Sequence, residues 1–308
     1  MSDAIRIFEV GPRDGLQNER IVLPTADKLW LIRELTAQGL NRLEAGALVR
    51  ADRVPQMADS EEVQRQILAA GLSGEFYNLV PNQKGLERAV RVGIRHIAVF
   101  TAASDTFNQK NIGMTCDQSL NEIRSIATEA SRLGIKVRGY VSTAWGCPFE
   151  GRIKPADVQR RVDALLALPI EEISIGDTIG VASVKGVREV LSPLIASSGS
   201  SRFAVHFHDT RGSALANAFA SYELGIRTFD SSIGGLGGCP FAPGASGNLS
   251  TEDLTYFFKE SGIQTGVNYS GLCSASLELH RRMGKTVFAS KALQAYQANC
   301  AKNPVWDS

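Results

Sequence analysis

The chain has 308 residues, 44% of them hydrophobic and 21% charged, which excludes the disordered, collagenous and coiled-coil classes. Thirty-three basic residues against 32 acidic ones give a net charge of +1, without the electrostatic footprint of a nucleic-acid binder. Five cysteines with no C-x-x-C spacing argue against a disulfide framework or a Cys-based structural zinc site and point to a reducing compartment.

Met1 leads straight into a strand-like run with no basic or apolar leader, and no apolar stretch approaches the roughly 18 residues of a membrane span. A cytoplasmic protein with no membrane partner is expected. Short β-branched or aromatic runs then alternate with longer amphipathic stretches. The pattern predicts strands at 5–10, 42–46, 75–80, 96–100, 137–142, 172–175, 203–207 and 228–231, each followed by a helix. Helix starts are marked at Thr25, Ser60, Thr115 and Pro155, and helix ends by Gly39, Gly71, Gly134 and Gly225.

Eight βα pairs can close into a (β/α)8 barrel or form an open doubly wound sheet. The barrel is favoured, because no G-x-G-x-x-G follows the first strand and chemically capable residues recur at most strand ends. No linker divides the chain, so a single TIM-barrel domain over 1–308 is expected. Within it, 260–308 is an additional C-terminal helical segment, helical over 271–283 and 285–300, that covers the barrel or makes a subunit contact.

The sharpest feature is His206-Phe207-His208-Asp209-Thr210 at the end of the seventh strand. Residues i and i+2 of a strand share a face, so both imidazoles project together while Phe207 turns towards the helices. They are either hydrogen-bonded core histidines or metal ligands. Asp14, just past the first strand, and Asn248, after the eighth, supply oxygens from neighbouring strand ends of a closed barrel. One carboxylate, two imidazoles and an amide oxygen leave two positions of an octahedral ion for a chelating hydroxy or oxo acid, which favours Mg²⁺ or Mn²⁺ over closed tetrahedral zinc. Arg13, beside Asp14, is either a surface ion pair or a fixed cation for a developing oxyanion.

Six of the 15 residues from Gly234 to Asn248 are glycine, a composition suited to a mobile lid or a close-approach loop. Cys239 within it is either a small loop residue or an acid/base group. Glu44 ends the second strand, Tyr140 and Ser142 the fifth, and Ser174 and Asp177 the sixth, all at one face of a barrel. No G-x-S-x-G elbow is present, which weakens a hydrolase reading.

At these residues the sequence resembles the hydroxymethylglutaryl-CoA lyases, metal-dependent barrels that break carbon–carbon bonds next to an acyl-CoA or oxo acid. The similarity spans nearly the whole chain and is most specific at Val10 to Glu19, Val54-Pro55-Gln56-Met57, Arg138-Gly139-Tyr140-Val141-Ser142, Gly146-Cys147-Pro148, Gly176-Asp177-Thr178-Ile179-Gly180, Gly237 to Asn248, and Thr251-Glu252-Asp253-Leu254. The resemblance implies that Asp14, His206, His208 and Asn248 bind a divalent cation. It also implies that Arg13 steadies the enolate of departing acetyl-CoA, that Cys239 takes part in proton transfer, and that Glu44 and Asp177 are acidic active-site residues. The implied chemistry is a retro-Claisen cleavage yielding acetoacetate and acetyl-CoA. The expected partner is a small acyl-CoA or hydroxy/oxo-acid substrate, and a homo-oligomer, dimer or tetramer, is expected.

Two departures stand out. Where the family carries Ser-Phe-Val-Ser-Pro-Lys-Trp, this chain has Ala47-Leu48-Val49-Arg50-Ala51-Asp52-Arg53, and where it has His-Asp-Thr-Tyr-Gly, this chain has Arg211. Arg50, Arg53 and Arg211 are thus candidates for retuned substrate choice, with solvated surface arginines as the bland alternative. A lyase or aldolase for another 3-hydroxyacyl-CoA or a 4-hydroxy-2-oxo acid is the runner-up, and a ligand-binding barrel without catalysis is a third reading.

Overall fold

In the computed structural model, which describes residues 4–238 and 247–300, eight parallel strands close into a barrel. They are β1 (Arg6–Glu9), β2 (Arg42–Ala47), β3 (Glu75–Leu79), β4 (His96–Ala102), β5 (Lys136–Ser142), β6 (Glu172–Asp177), β7 (Phe203–Phe207) and β8 (Thr228–Ser231). β1 pairs with β8 through Arg6 to Thr228 and Glu9 to Ser231, and with β2 through Glu9 to Leu43, which closes the ring. The open doubly wound sheet is thereby excluded. All eight expected strands are present, several a residue or two longer or shorter than the pattern suggested.

Eleven helices accompany the strands among the described residues. Those before the last barrel crossover are α1 (Thr25–Ala37), α2 (Ser60–Ala69), α3 (Gln83–Arg91), α4 (Asp105–Ile112), α5 (Cys116–Arg132), α6 (Pro155–Leu166), α7 (Val184–Ser198) and α8 (Ala214–Glu223). Thr115 opens α5 with a full capping box to Gln118, and Pro155 stands at the first position of α6. Outward strand residues such as Leu43, Ile97, Val141, Ile173, Ile175 and Phe229 pack beneath this helix layer in one continuous core. No helix of the described residues is long and apolar enough to cross a membrane.

The barrel interior is partly charged. Arg138, 1% exposed, lies in it between the rings of Phe8 and Tyr140, with guanidinium-to-centroid distances of 3.9 and 4.8 Å. A cation at this depth requires partners, and Glu172 and Asp230 provide them at 2.8 and 2.6 Å.

The C-terminal segment consists of α9 (Thr251–Glu260), α10 (Tyr269–Arg282) and α11 (Lys291–Cys300). α10 is moored on α1, where Arg282 pairs with Asp27 and lies 4.0 Å from the Trp30 ring centroid. The helix expected over 285–300 begins only at Lys291. Gly284, at φ 63°, ends α10, and Ser290 caps the new helix by accepting from Leu293 N at 3.0 Å.

Candidate functional site

The strand parity that joins His206 and His208 on the sequence also joins them in space, with ring centroids 5.3 Å apart. Phe207 turns outward against Trp145, at 5.4 Å. Asp14 reaches the same point from a single helical turn, Gly11–Gly15, that follows β1. One ligand atom from each of Asp14, His206 and His208 lies within 4.8 Å of the others.

Asn248 completes the set through the chain after β8. Its backbone bridges to His208, and Leu249 N donates to Phe207 O at 2.9 Å, so this segment runs beside the end of β7. Asn248 Nδ2 donates to Asp14 Oδ2 and to Leu236 O. Its Oδ1 is buried with no protein partner, and so is His208 Nδ1. Buried acceptors without partners are costly, and here they belong to residues grouped around one carboxylate. The donor set of carboxylate, imidazoles and amide oxygen fits a divalent cation. Gly237, at φ 119°, permits the packing, since a Cβ there would stand 2.5 Å from Asn248 Nδ2.

Arg13 is 8% exposed, so it is no surface ion pair. Its Nε donates to Glu44 Oε2 at 2.6 Å and its Nη1 to Asp14 Oδ1 at 2.8 Å. Burial works against its charge, but Glu44 and Asp14 hold it above the ordinary arginine value. Burial pushes Glu44 up, opposed by Arg13, and Glu44 Oε1 is buried without a partner. Burial also opposes the charge of Asp14, yet Arg13, His206 and His208 together hold its carboxyl below the usual range. Burial, reinforced by His206, drives His208 down to about 4, so at neutral pH it offers a neutral imidazole. His206 moves the other way: burial lowers it, but the hydrogen bond and charge of Asp230 raise it above its ordinary value.

Tyr140 is buried beside His206, ring centroids 6.4 Å apart and nearly perpendicular, with its hydroxyl lacking a protein partner. Burial raises its pKa well above the ordinary value. Ser142 ends β5 on the face shared by Arg138 and Tyr140.

Three expected site residues are used differently. Ser174, expected among the strand-end groups at the mouth, is fully buried and donates to Asp230 at 2.8 Å. Asp177, three residues further along β6, falls on the opposite strand face. Its carboxylate accepts from Val181 N at 3.0 Å and Ala182 N at 2.8 Å, fastening the loop before α7 instead of joining the Asp14 cluster. Arg211 donates to the carbonyls of Ile179 and Gly180 at 3.0 and 2.9 Å, so it ties the loop after β7 to the loop after β6. Arg50 pairs with Asp52, both exposed. Cys239, and with it the centre of the expected lid, lies outside the described residues.

Sequence reasoning missed Asp230, Arg138, Glu9 and Glu252. Asp230 lies next to His206 in strand register, with 3.3 Å between its Oδ2 and His206 Nδ1. Burial opposes its charge, but Arg138 overrides this and holds the carboxyl at about 2. Glu9, on the outer face of β1, accepts from Gly11 N, Ile233 N and Thr251 Oγ1 at 2.7, 2.9 and 2.6 Å, joining the Asp14 turn to the start of the glycine-rich loop. Glu252 accepts from Gly234 N at 2.9 Å from the other side. For Glu9, Arg138 and Asp230 the available signal was an ionisable residue within a barrel strand, which requires a buried partner; Glu252, in the first turn of α9, carried no such signal.

Residues 4–278 match the family model described as HMGL-like. The chain is 44% identical to the hydroxymethylglutaryl-CoA lyase of Pseudomonas mevalonii over 97% of its length and 99% of that protein's. It is also 44% identical to the mitochondrial enzyme of that name from Bos taurus, over 94% and 89%. Among solved structures, an HMG-CoA lyase from Acinetobacter baumannii, in complex with coenzyme A and 3-methylmalate, superposes with a TM-score of 0.90 at 38% identity, covering 96% of both chains. The Bacillus subtilis HMG-CoA lyase superposes with a TM-score of 0.91 at 39% identity, covering 96% of this chain and all of that one.

Proposed function

We propose, from the premise that this chain belongs to the HMGL-like family, that it uses a divalent cation held by Asp14, His206, His208 and Asn248 to cleave 3-hydroxy-3-methylglutaryl-CoA. The chain is a carbon–carbon lyase, and the products of this cleavage are acetyl-CoA and acetoacetate. The observation that carries the metal reading is the convergence of three ligand atoms within 4.8 Å beside the unpartnered Oδ1 of Asn248. Coenzyme A in the A. baumannii relative supports a thioester substrate.

A bound Mg²⁺ or Mn²⁺ would polarise the substrate's C3 hydroxyl and neighbouring oxygen. The chain's own groups divide the remaining work. Asp14, kept ionised by Arg13 and the histidines, is the carboxylate placed to take the hydroxyl proton. As the C2–C3 bond breaks, its electron pair passes to the thioester, and the Arg13 guanidinium stabilises that developing enolate. Glu44 holds Arg13 in place from behind. Tyr140 and Ser142 line the substrate's side of the mouth, while Arg211 and Asp177 shape the adjoining loops. Return of a proton to C2 completes acetyl-CoA, a step we assign to Cys239 on the resemblance alone.

The test is activity of the chelator-stripped protein on 3-hydroxy-3-methylglutaryl-CoA, with acetyl-CoA and acetoacetate measured separately. Equimolar products are expected only after Mg²⁺ or Mn²⁺ is restored. Full activity of metal-free protein would refute the metal assignment.

A further inference from the structure

We propose that Asp230, clamped by Arg138 and Ser174, is the positioning residue that fixes the tautomer and orientation of His206 as a metal ligand. The inference rests on the metal reading above and concerns residues one layer deeper in the barrel.

The geometry is specific to this one histidine. Asp230 Oδ2 stands 3.3 Å from His206 Nδ1 and also accepts from Ser174 Oγ at 2.8 Å and Arg138 Nη1 at 3.1 Å. Oδ1 accepts from Arg138 Nη2 at 2.6 Å. An ionised carboxylate has only lone pairs to offer, so the imidazole nitrogen facing it carries the proton. With its proton held at Nδ1, His206 has Nε2 as the nitrogen to offer a cation. By contrast, His208 Nδ1 is buried without a partner, and no comparable group holds that ring.

Asp230 itself cannot swing. Its guanidinium partner makes two parallel contacts, a planar fork that resists rotation. Arg138 is in turn fixed by Glu172 and by the rings of Phe8 and Tyr140. Ser174 thus belongs to the scaffold beneath the ligand set. A carboxylate or carbonyl on the far nitrogen of a ligating histidine typically governs metal affinity by 10- to 100-fold.

The experiment measures Mn²⁺ affinity of the metal-stripped full chain by titration calorimetry without substrate, together with the visible spectrum of the Co²⁺ form. Asp230→Asn presents an amide N–H to either Arg138 or His206. It is expected to raise the Mn²⁺ Kd by about 10- to 100-fold and to change the Co²⁺ bands. Ser174→Ala leaves both Arg138 ion pairs in place, keeps the test open should Asp230→Asn not fold, and is expected to raise Kd by about fivefold. Glu172→Gln weakens only the far side of Arg138 and leaves both Asp230 contacts and the Phe8 and Tyr140 rings in place, so Kd is expected to rise far less than for Asp230→Asn. Both Asp230→Asn and Ser174→Ala within twofold of the unaltered protein would overturn the proposal, as would a Glu172→Gln loss equal to that of Asp230→Asn. If the unaltered protein binds no Mn²⁺, the metal reading falls and this inference with it; binding that the variants leave unchanged overturns the inference alone.

Discussion

Asn248 Nδ2 donates to Asp14 Oδ2 at 2.9 Å across 234 residues of sequence, and the same group holds the Leu236 carbonyl at 3.0 Å. Both amide hydrogens are thus committed, and the amide oxygen is oriented away from them, buried and unpaired. Replacing Asn248 by Ala removes the proposed amide ligand and also frees Asp14. Mn²⁺ affinity is expected to fall at least tenfold by calorimetry, with acetyl-CoA production falling in parallel at limiting metal.

Arg13 bridges Asp14 and Glu44 through separate nitrogens of one planar fork. A lysine keeps the charge and cannot keep both contacts. Arg13→Lys is expected to lower kcat by roughly 10²- to 10³-fold, the usual consequence of losing one oxyanion donor, while the Mn²⁺ Kd changes little. Unchanged kcat would remove Arg13 from the chemistry.

Arg211 spends its guanidinium on two loop carbonyls, and Arg50 on an exposed aspartate. Neither contact is made with the Asp14 cluster. Arg211→Ala is therefore expected to leave kcat/KM for 3-hydroxy-3-methylglutaryl-CoA within about tenfold of the unaltered enzyme and to lower stability by about 1–2 kcal/mol in urea unfolding. A larger, substrate-selective loss in kcat/KM would instead give Arg211 a direct part in recognition.

Glu9 is fully buried, and burial, only partly offset by its hydrogen bonds from Thr251, Ile233 and Gly11, pushes its carboxyl up to about 7. A carboxyl whose pKa is higher in the folded state than the ordinary 4.5 holds its proton in the folded chain after the unfolded chain has lost it. Its contribution to stability is complete below about pH 4.5 and declines as pH rises through about 7. Glu9→Gln removes that titration and exchanges the oxygen that accepts from Thr251 Oγ1 for an amide donor, while the remaining oxygen can still accept from Gly11 N and Ile233 N. The variant is expected to be less stable at pH 5 by about 1–3 kcal/mol, with the gap narrowing by pH 8. Urea unfolding at pH 5, 6.5 and 8 measures this, and a gap that widens with pH contradicts it.

Much of the molecule was legible because strand periodicity is local. All eight strands, the shared face of His206 and His208 and the strand-end positions of Asp14 and Glu44 follow from a two-residue repeat and the closure rule of a parallel barrel. The same repeat, applied more strictly, already separates Ser174 from Asp177, which stand three residues apart on opposite faces of β6. The break at Gly284 was visible, but its extent was not, because Ser290 reads as helix interior until its capping bond from Leu293 N is known.

What the sequence by itself determined is the set of chemical groups and the face each one occupies on its own strand. Only the tertiary structure decided which groups meet. Arg138 and Asp230 are 92 residues apart, Asp14 and Asn248 are 234 apart, and Arg211 finds its carbonyls 31 and 32 residues upstream. Such pairings depend on strand stagger, loop course and the need of each buried charge or amide for a partner. No periodicity carries that information, since the hydrogen bond from Asn248 to Asp14 exists only once the barrel has closed.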